Sequence, residues 1–208
     1  MDELDRRLTA RGAATRARIV ASADELISLK GAASTTLDDV TAASGTSKSQ
    51  FYRHFGDKGA LVQAVIARRG GRVLEREEQY LRRVDSFSGL DRWCRAILHR
   101  VTARRGALGC ELGSLSTELS DQDEAARSDL DAYLTSWISL LAAAIERMKS
   151  NETLSEDADP SKLATGMMAA VQGGYVLAQA ARDSEPMRVA LELAMDSVRA
   201  HAKSANEK

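Results

Sequence analysis

Just after Ser47 the chain strings together side chains suited to one kind of chemistry. Lys48, Ser49, Gln50, Tyr52, Arg53 and His54 can all donate a hydrogen bond, none is acidic, and Lys58 follows shortly after. Solvated helices normally mix in Glu or Asp. A donor-only face fits phosphate oxygens and base edges instead. Gln50 can read a base edge bidentately, and Arg53 can pair with guanine where it points into a groove. Thr36, Lys48, Tyr52 and Lys58 suit phosphates, and Lys58 has the added pull of backbone N–H groups at a helix start. Ser47, Ser49 and His54 complete the candidate contact set. The competing reading is a plain solvated helix surface.

These residues need elements to hold them, and the spacing supplies four helices. Ile19, Val20, Ala23, Leu26 and Ile27 recur at helical intervals, which predicts a helix over 13–30 that Gly31 stops. Thr36 with Asp39 forms a capping-box pattern and opens a helix over 37–44, which Gly45 breaks. Leu37 and Val40 face its core, and Ala42 and Ala43 are small enough for a neighbouring helix to approach. Ser47 with Gln50 repeats the capping pattern and opens a third helix, anchored by Phe51 and Phe55 four residues apart. Asp57 caps a fourth, with Leu61, Val62, Val65 and Ile66 on its inner face. A helix, a tight turn and a second helix make a helix-turn-helix, whose second helix lies in the DNA major groove.

The stretch from Thr36 to Leu61 resembles the DNA-binding signature of the TetR family of regulators. The positions that carry the likeness are Gly45, Thr46, Ser47, Lys48, Phe51, Tyr52, Phe55 and Lys58. Gly59 departs from the acid that commonly follows the lysine, and Gln50 and Phe51 replace a common Thr and Leu. The segment 109–120 is similar to one in a subgroup that includes repressors of multidrug-efflux and flavonoid-responsive genes. The resemblance implies a homodimer built from the last two helices, a double-stranded operator and a small-molecule effector.

Beyond the fourth helix, continued by the charged stretch 72–85, the pattern is helical throughout. A loop over 86–89 precedes a helix over 90–105, and a short helix lies within 106–120. A long amphipathic helix follows over 122–149, and two more over 161–182 and 185–203. The expected fold is all-α with about nine helices: an N-terminal three-helix helix-turn-helix domain and a C-terminal helical ligand-binding and dimerisation domain. The boundaries are 1–56 for the arm and helix-turn-helix, 57–203 for the second domain and 204–208 for a disordered tail. Leu163, Met167, Ala170, Val171, Gly174 and Ala178 form one apolar stripe. Met187, Ala190, Leu191, Ala194, Met195 and Val198 form another. Each can serve the dimer or the monomer's own core. Candidate walls of a ligand site are Trp93, Ile97, Leu115, Tyr133, Trp137, Met168, Gln172 and Tyr175, with Glu111 as a further polar group. Ordinary core packing competes for each.

The 208 residues carry a formal net charge of −1, so any attraction to DNA must be local. Arg6, Arg7, Arg11, Arg16 and Arg18 against Asp2, Glu3 and Asp5 offer one basic patch, with a frayed arm as the plainer reading. Cys94 and Cys110 make no disulfide framework and no metal pair, although Cys110 is open to a redox role. No signal peptide or apolar run of roughly 20 residues is present, which places the protein in the cytoplasm, away from membranes. His54, His99 and His201 lack metal-ligand spacing, and no phosphate loop or nucleophile elbow occurs. Neither a metal nor another cofactor is expected. Two alternatives stay open: a helical protein that uses the motif for protein partners, and an enzyme assembled from dispersed residues.

Overall fold

A computed structural model describes residues 9–203, so Arg6, Arg7 and the tail from Ser204 lie outside the described residues. Nine α-helices run through it: α1 (Ala10–Ser34), α2 (Leu37–Ser44), α3 (Lys48–His54), α4 (Lys58–Leu81), α5 (Phe87–Ala103), α6 (Gly113–Leu119), α7 (Glu124–Ser150), α8 (Pro160–Ala181) and α9 (Glu185–Arg199). The all-helical expectation holds. The chain divides into two compact units, Met1–Gly70 with Leu115–Leu130, and Gly71–Ser114 with Asp131–Lys208. The sequence reading instead puts the change of domain after residue 56.

In the first unit the capping chemistry is as the spacing predicts. Thr36 Oγ1 accepts from the Asp39 amide while Asp39 Oδ2 accepts from the Thr36 amide at 2.9 Å. Gly45 closes α2 in the left-handed region at φ 61°, where a side chain would cost strain. Gly31, at φ 82° and ψ 164°, is non-helical and interrupts α1 where the spacing predicts a stop, and Glu118 Oε1 accepts from the Ala33 amide of the short turn beyond, at 2.7 Å. The regular helix thus ends at its expected glycine, and Glu118 holds the separate turn that follows. Ala42 and Ala43 are exposed, and Thr41 and Ser44 are the buried small residues of α2. The helix is rolled so that hydroxyls, satisfied locally, face inward: Thr41 donates to the Asp38 carbonyl.

Ile19, Val20, Phe51, Phe55, Val65 and Ile66 form the core of this unit. Its one deep ion pair joins α1 to α4 among the described residues. Arg69 Nε donates to Asp24 Oδ1 at 2.6 Å, and Nη2 reaches the Asp24 carbonyl and Ser28 Oγ. Desolvated charges are tolerable only when their hydrogen bonds are satisfied in this way.

In the second unit, α5 begins at Phe87 rather than 90. Gly89 is helical and buried, where a Cβ would lie 3.3 Å from Val84 Cγ1. The Ser/Gly cluster marks close packing there, not a loop. The Gly70–Gly71 pair likewise leaves α4 unbroken. Arg147 ties the α4–α5 connection to α7 by donating to the carbonyls of Leu81 and Val84.

α8 and α9 pack closely because Gly174 admits Met187, whose Sδ would stand 2.8 Å from an added Cβ. The stripes from Leu163 to Ala178 and from Met187 to Val198 face this interior: all are buried except the half-buried Ala170 and Ala190. A different face is left outside. On α8 it carries Ala169, Gly173, Val176, Leu177 and Ala180, and on α9 Val189 and Leu193. Finally, α9 stops at Arg199 instead of 203. The chain turns so that His201 and Thr153 carbonyls accept from the Ser155 and Lys203 amides, and Leu154 bridges Ala202.

Candidate functional site

α2 and α3 present the expected donors with one exception. Ser47, Lys48, Ser49, Gln50, Tyr52 and Arg53 are exposed on or beside α3, as is Thr36 at the start of α2. Tyr52 is 56% exposed, its ring held edge-on against buried Phe51 at 5.4 Å. That contact orients the phenol while leaving its hydroxyl outside. His54 is the correction. It is buried, with Nδ1 unpartnered among the described residues, so it faces the core and not a groove. Burial, with Arg16 and Arg53 nearby, pushes its pKa below the ordinary histidine value.

Several of the donors already have partners. Gln50 Oε1 accepts from the Ser47 amide at 2.9 Å, completing the capping box, which leaves its amide NH2 as the outward donor. Lys48 Nζ pairs with Asp38 at 2.8 Å, a carboxylate on α2 that the donor-only reading of α3 overlooked. Lys58 is half-buried and Nζ donates to the Ala33 carbonyl at 3.3 Å. Arg16 lies 5.1 Å from the Phe55 ring centroid, and Arg18 Nε donates to the Ser44 carbonyl at 2.8 Å. Two arginines of the expected basic patch therefore brace the helix-turn-helix, and Arg11 is exposed. Arg53 is the exposed guanidinium best set to reach outward.

The residues expected to wall a ligand site separate. Trp93, Ile97 and Met168 are packed in the core of the second unit, and Leu115 belongs to the first. Tyr133 and Gln172 are half-buried, and Gln172 Nε2 contacts Met168 Sδ at 3.4 Å. Trp137 and Tyr175 do line a cavity, of about 20 Å³, together with Arg76, Arg100, Arg104, Cys110 and Glu111. That volume holds about one water molecule.

Of its charged wall the sequence reasoning named Glu111 but missed Arg76, Arg100 and Arg104, and Glu77 behind them. Glu77, fully buried, accepts from Trp93 Nε1 at 2.8 Å, from Arg76 Nε at 2.9 Å and from Arg100 Nη2 at 3.0 Å. Glu111 pairs with Arg72 at 2.5 Å and Arg76 at 3.1 Å. Burial works to raise the Glu111 pKa, but the two arginines win and hold it below the usual carboxylate range. Arg100 sits one turn from Ile97 on an otherwise apolar face, a signal that could have marked it. Burial raises the Tyr175 hydroxyl and the Cys110 thiol, and takes the Cys94 thiol to about 12. Neither sulfur is an activated thiolate.

Comparison with known proteins bears on the family and the fold. Residues 19–65 match the family described as "Bacterial regulatory proteins, tetR family", and residues 87–194 match "Tetracyclin repressor-like, C-terminal domain". The chain is 25% identical over 182 residues to the HTH-type transcriptional repressor DhaR of Mycobacterium sp. (strain GP1), spanning 83% of this chain and 86% of that protein. It is 26% identical over 180 residues to the HTH-type transcriptional repressor NemR of Escherichia coli (strain K12), spanning 85% and 90% respectively. A solved TetR-family regulator from Cytophaga hutchinsonii superposes with a TM-score of 0.83 at 22% identity, covering 95% of this chain and 100% of that one.

Proposed function

The chain belongs to the tetR family of bacterial regulatory proteins, and on that premise we propose a transcriptional repressor that binds a palindromic operator as a homodimer and releases it when a small molecule occupies the second unit. Membership in a family of DNA-binding regulators sets aside the enzyme alternative. The observation that carries the proposal is the doubly capped helix-turn-helix, with Tyr52 and Arg53 exposed on α3 and Gln50 turning its amide outward. Arg53 and Gln50 read base edges, and Ser47, Ser49, Tyr52, Thr36, Lys48 and Lys58 hold phosphates. On DNA, Lys48 exchanges the Asp38 carboxylate for a phosphate. His54 acts from inside, by seating α3.

Repression is inferred from the relatives DhaR and NemR, both HTH-type transcriptional repressors. Homodimerisation rests on the outward apolar face of α8 and α9. Val176, Leu177 and Leu193 are each more than half exposed, and Ala169, Gly173 and Ala180 allow close helix approach. Two recognition helices about 34 Å apart then meet half-sites one DNA turn apart, which makes the operator palindromic. Effector release is a population shift that needs different effector affinity in the DNA-bound and free states. The α4 helix, which carries residues of both units, is the element we assign to that shift. Among the described residues no helix is long and apolar enough to cross a membrane, which accords with a regulator working on DNA in the cytoplasm.

Two substitutions on a site chosen from randomised DNA test the reading. Tyr52→Ala should weaken binding to every sequence by about tenfold, the loss of one phosphate contact. Gln50→Ala should instead alter preference at one base pair, by about 1–3 kcal/mol of discrimination. Equal, sequence-independent losses from both would remove the assigned roles.

A further inference from the structure

The cavity of the second unit is lined by donors more than by acceptors. Trp137 is 1% exposed, and its Nε1–H has no hydrogen-bond partner among the described residues. The buried Arg100 Nε–H is in the same position. Both residues line the cavity. Native interiors rarely leave buried N–H groups unmet, and two such groups on one cavity mark a place where an acceptor can bind.

Charge points the same way. Arg76, Arg100 and Arg104 line the cavity, with Glu111 as the lining carboxylate and Glu77 buried behind. Three cations face two anions there. Glu77 is engaged by Trp93, Arg76 and Arg100, and Glu111 by Arg72 and Arg76. Arg104 is exposed at the end of α5, where an incoming anion would meet it first. The rings of Trp137 and Tyr175, with Val101, supply apolar wall beside these donors. A neutral acceptor would meet the N–H groups but leave the excess positive charge.

We propose that this cavity receives the carboxylate of a small organic acid, with Trp137 Nε1 and Arg100 Nε donating to its oxygens and Arg104 closing over it. The proposal rests on reading this unit as the effector-binding one, and names the chemical class of the effector. The acid's apolar body lies against Trp137 and Tyr175. Since the cavity as it stands holds about one water, the loop over 104–112 gives way to admit that body.

The test is calorimetric titration of the intact protein with acetate and benzoate, each against its neutral amide, acetamide and benzamide, at fixed ionic strength. The expected result is saturable carboxylate binding at least about tenfold tighter than amide binding. Arg104→Gln, at an exposed position, should retain the fold and weaken benzoate by about tenfold or more, the scale of a charge-assisted contact. Trp137→Phe removes the N–H while keeping a ring, and should weaken benzoate similarly with its melting transition still cooperative. Equal affinity for acid and amide, no carboxylate binding, or unchanged binding in both variants would overturn the proposal. Operator binding in saturating benzoate separates it from the broader reading. Benzoate binding without operator release keeps the anion site and removes the inducer role. Operator release by benzamide alone overturns the anion site and leaves the regulator intact.

Discussion

The imidazole of His54 ends α3 with Nδ1 buried and without a partner among the described residues, while its neighbours Tyr52 and Arg53 are exposed. Burial, helped by Arg16 and Arg53, holds the folded pKa below the ordinary histidine value. As pH falls through about 6.5 the unfolded chain binds a proton that the folded chain refuses, and stability is lost. Melting temperature between pH 7.5 and 5.5 should therefore fall more steeply in the wild type than in His54→Leu, and parallel slopes would refute it. The spacing contained this answer. Position 54 lies three residues after Phe51, so it shares that residue's anchored face. It was read as a donor because of its chemistry and not its phase. Lys48 and Gln50 are the converse case, legible as exposed donors but with partners, Asp38 and the Ser47 amide, that only three dimensions reveal.

Helix starts were readable at the side-chain caps Thr36, Ser47 and Asp57, but not at Thr9, whose cap starts α1 at Ala10 and not at residue 13. The start of α5 was misread because Gly89 serves packing, and the end of α9 because a distant strand-like pairing stops it early, at Arg199. The cavity's elements show why most of its charged wall escaped notice. A charged residue on a helix is solvated by default, and nothing local announces that Glu77 is buried. Replacing Glu77 by Leu leaves Arg76, Arg100 and Trp93 without their shared acceptor. Chemical denaturation should register a loss of about 3–5 kcal/mol, as when one partner of a buried ion pair is removed; a near-neutral result would mean the arginines find water instead. Gly106 sets the loop beyond α5 at φ 71°, where a Cβ would fall 2.3 Å from the Ala178 carbonyl oxygen. Gly106→Ala should cost at least about 2 kcal/mol, combining positive-φ strain with overpacking in contact with backbone.

At the scale of the molecule, helix periodicity correctly placed α8 and α9 as apolar helices but chose the stripes that fill the monomer. Amphipathic counting finds the larger face, and the smaller outward face of Val176, Leu177, Val189 and Leu193 is visible only once the inner one is packed. Leu177→Glu should convert a dimer to a monomer in sedimentation velocity, and with it abolish cooperative occupancy of two half-sites; a dimer that persists would move the interface elsewhere. The family and the helix-turn-helix were legible from Thr36 to Leu61, because caps, glycine turn and aromatic anchors are all local features. The central claim is that this helix-turn-helix reads a specific operator. Fluorescence-anisotropy titration of the intact protein against a site selected from randomised DNA, at two salt concentrations and with unrelated DNA as competitor, tests it most directly. The account predicts tight binding that resists the competitor and weakens steeply with salt as phosphate contacts release counterions. Failure of the selection to enrich any sequence, with no binding beyond that to unrelated DNA at either salt, would contradict it.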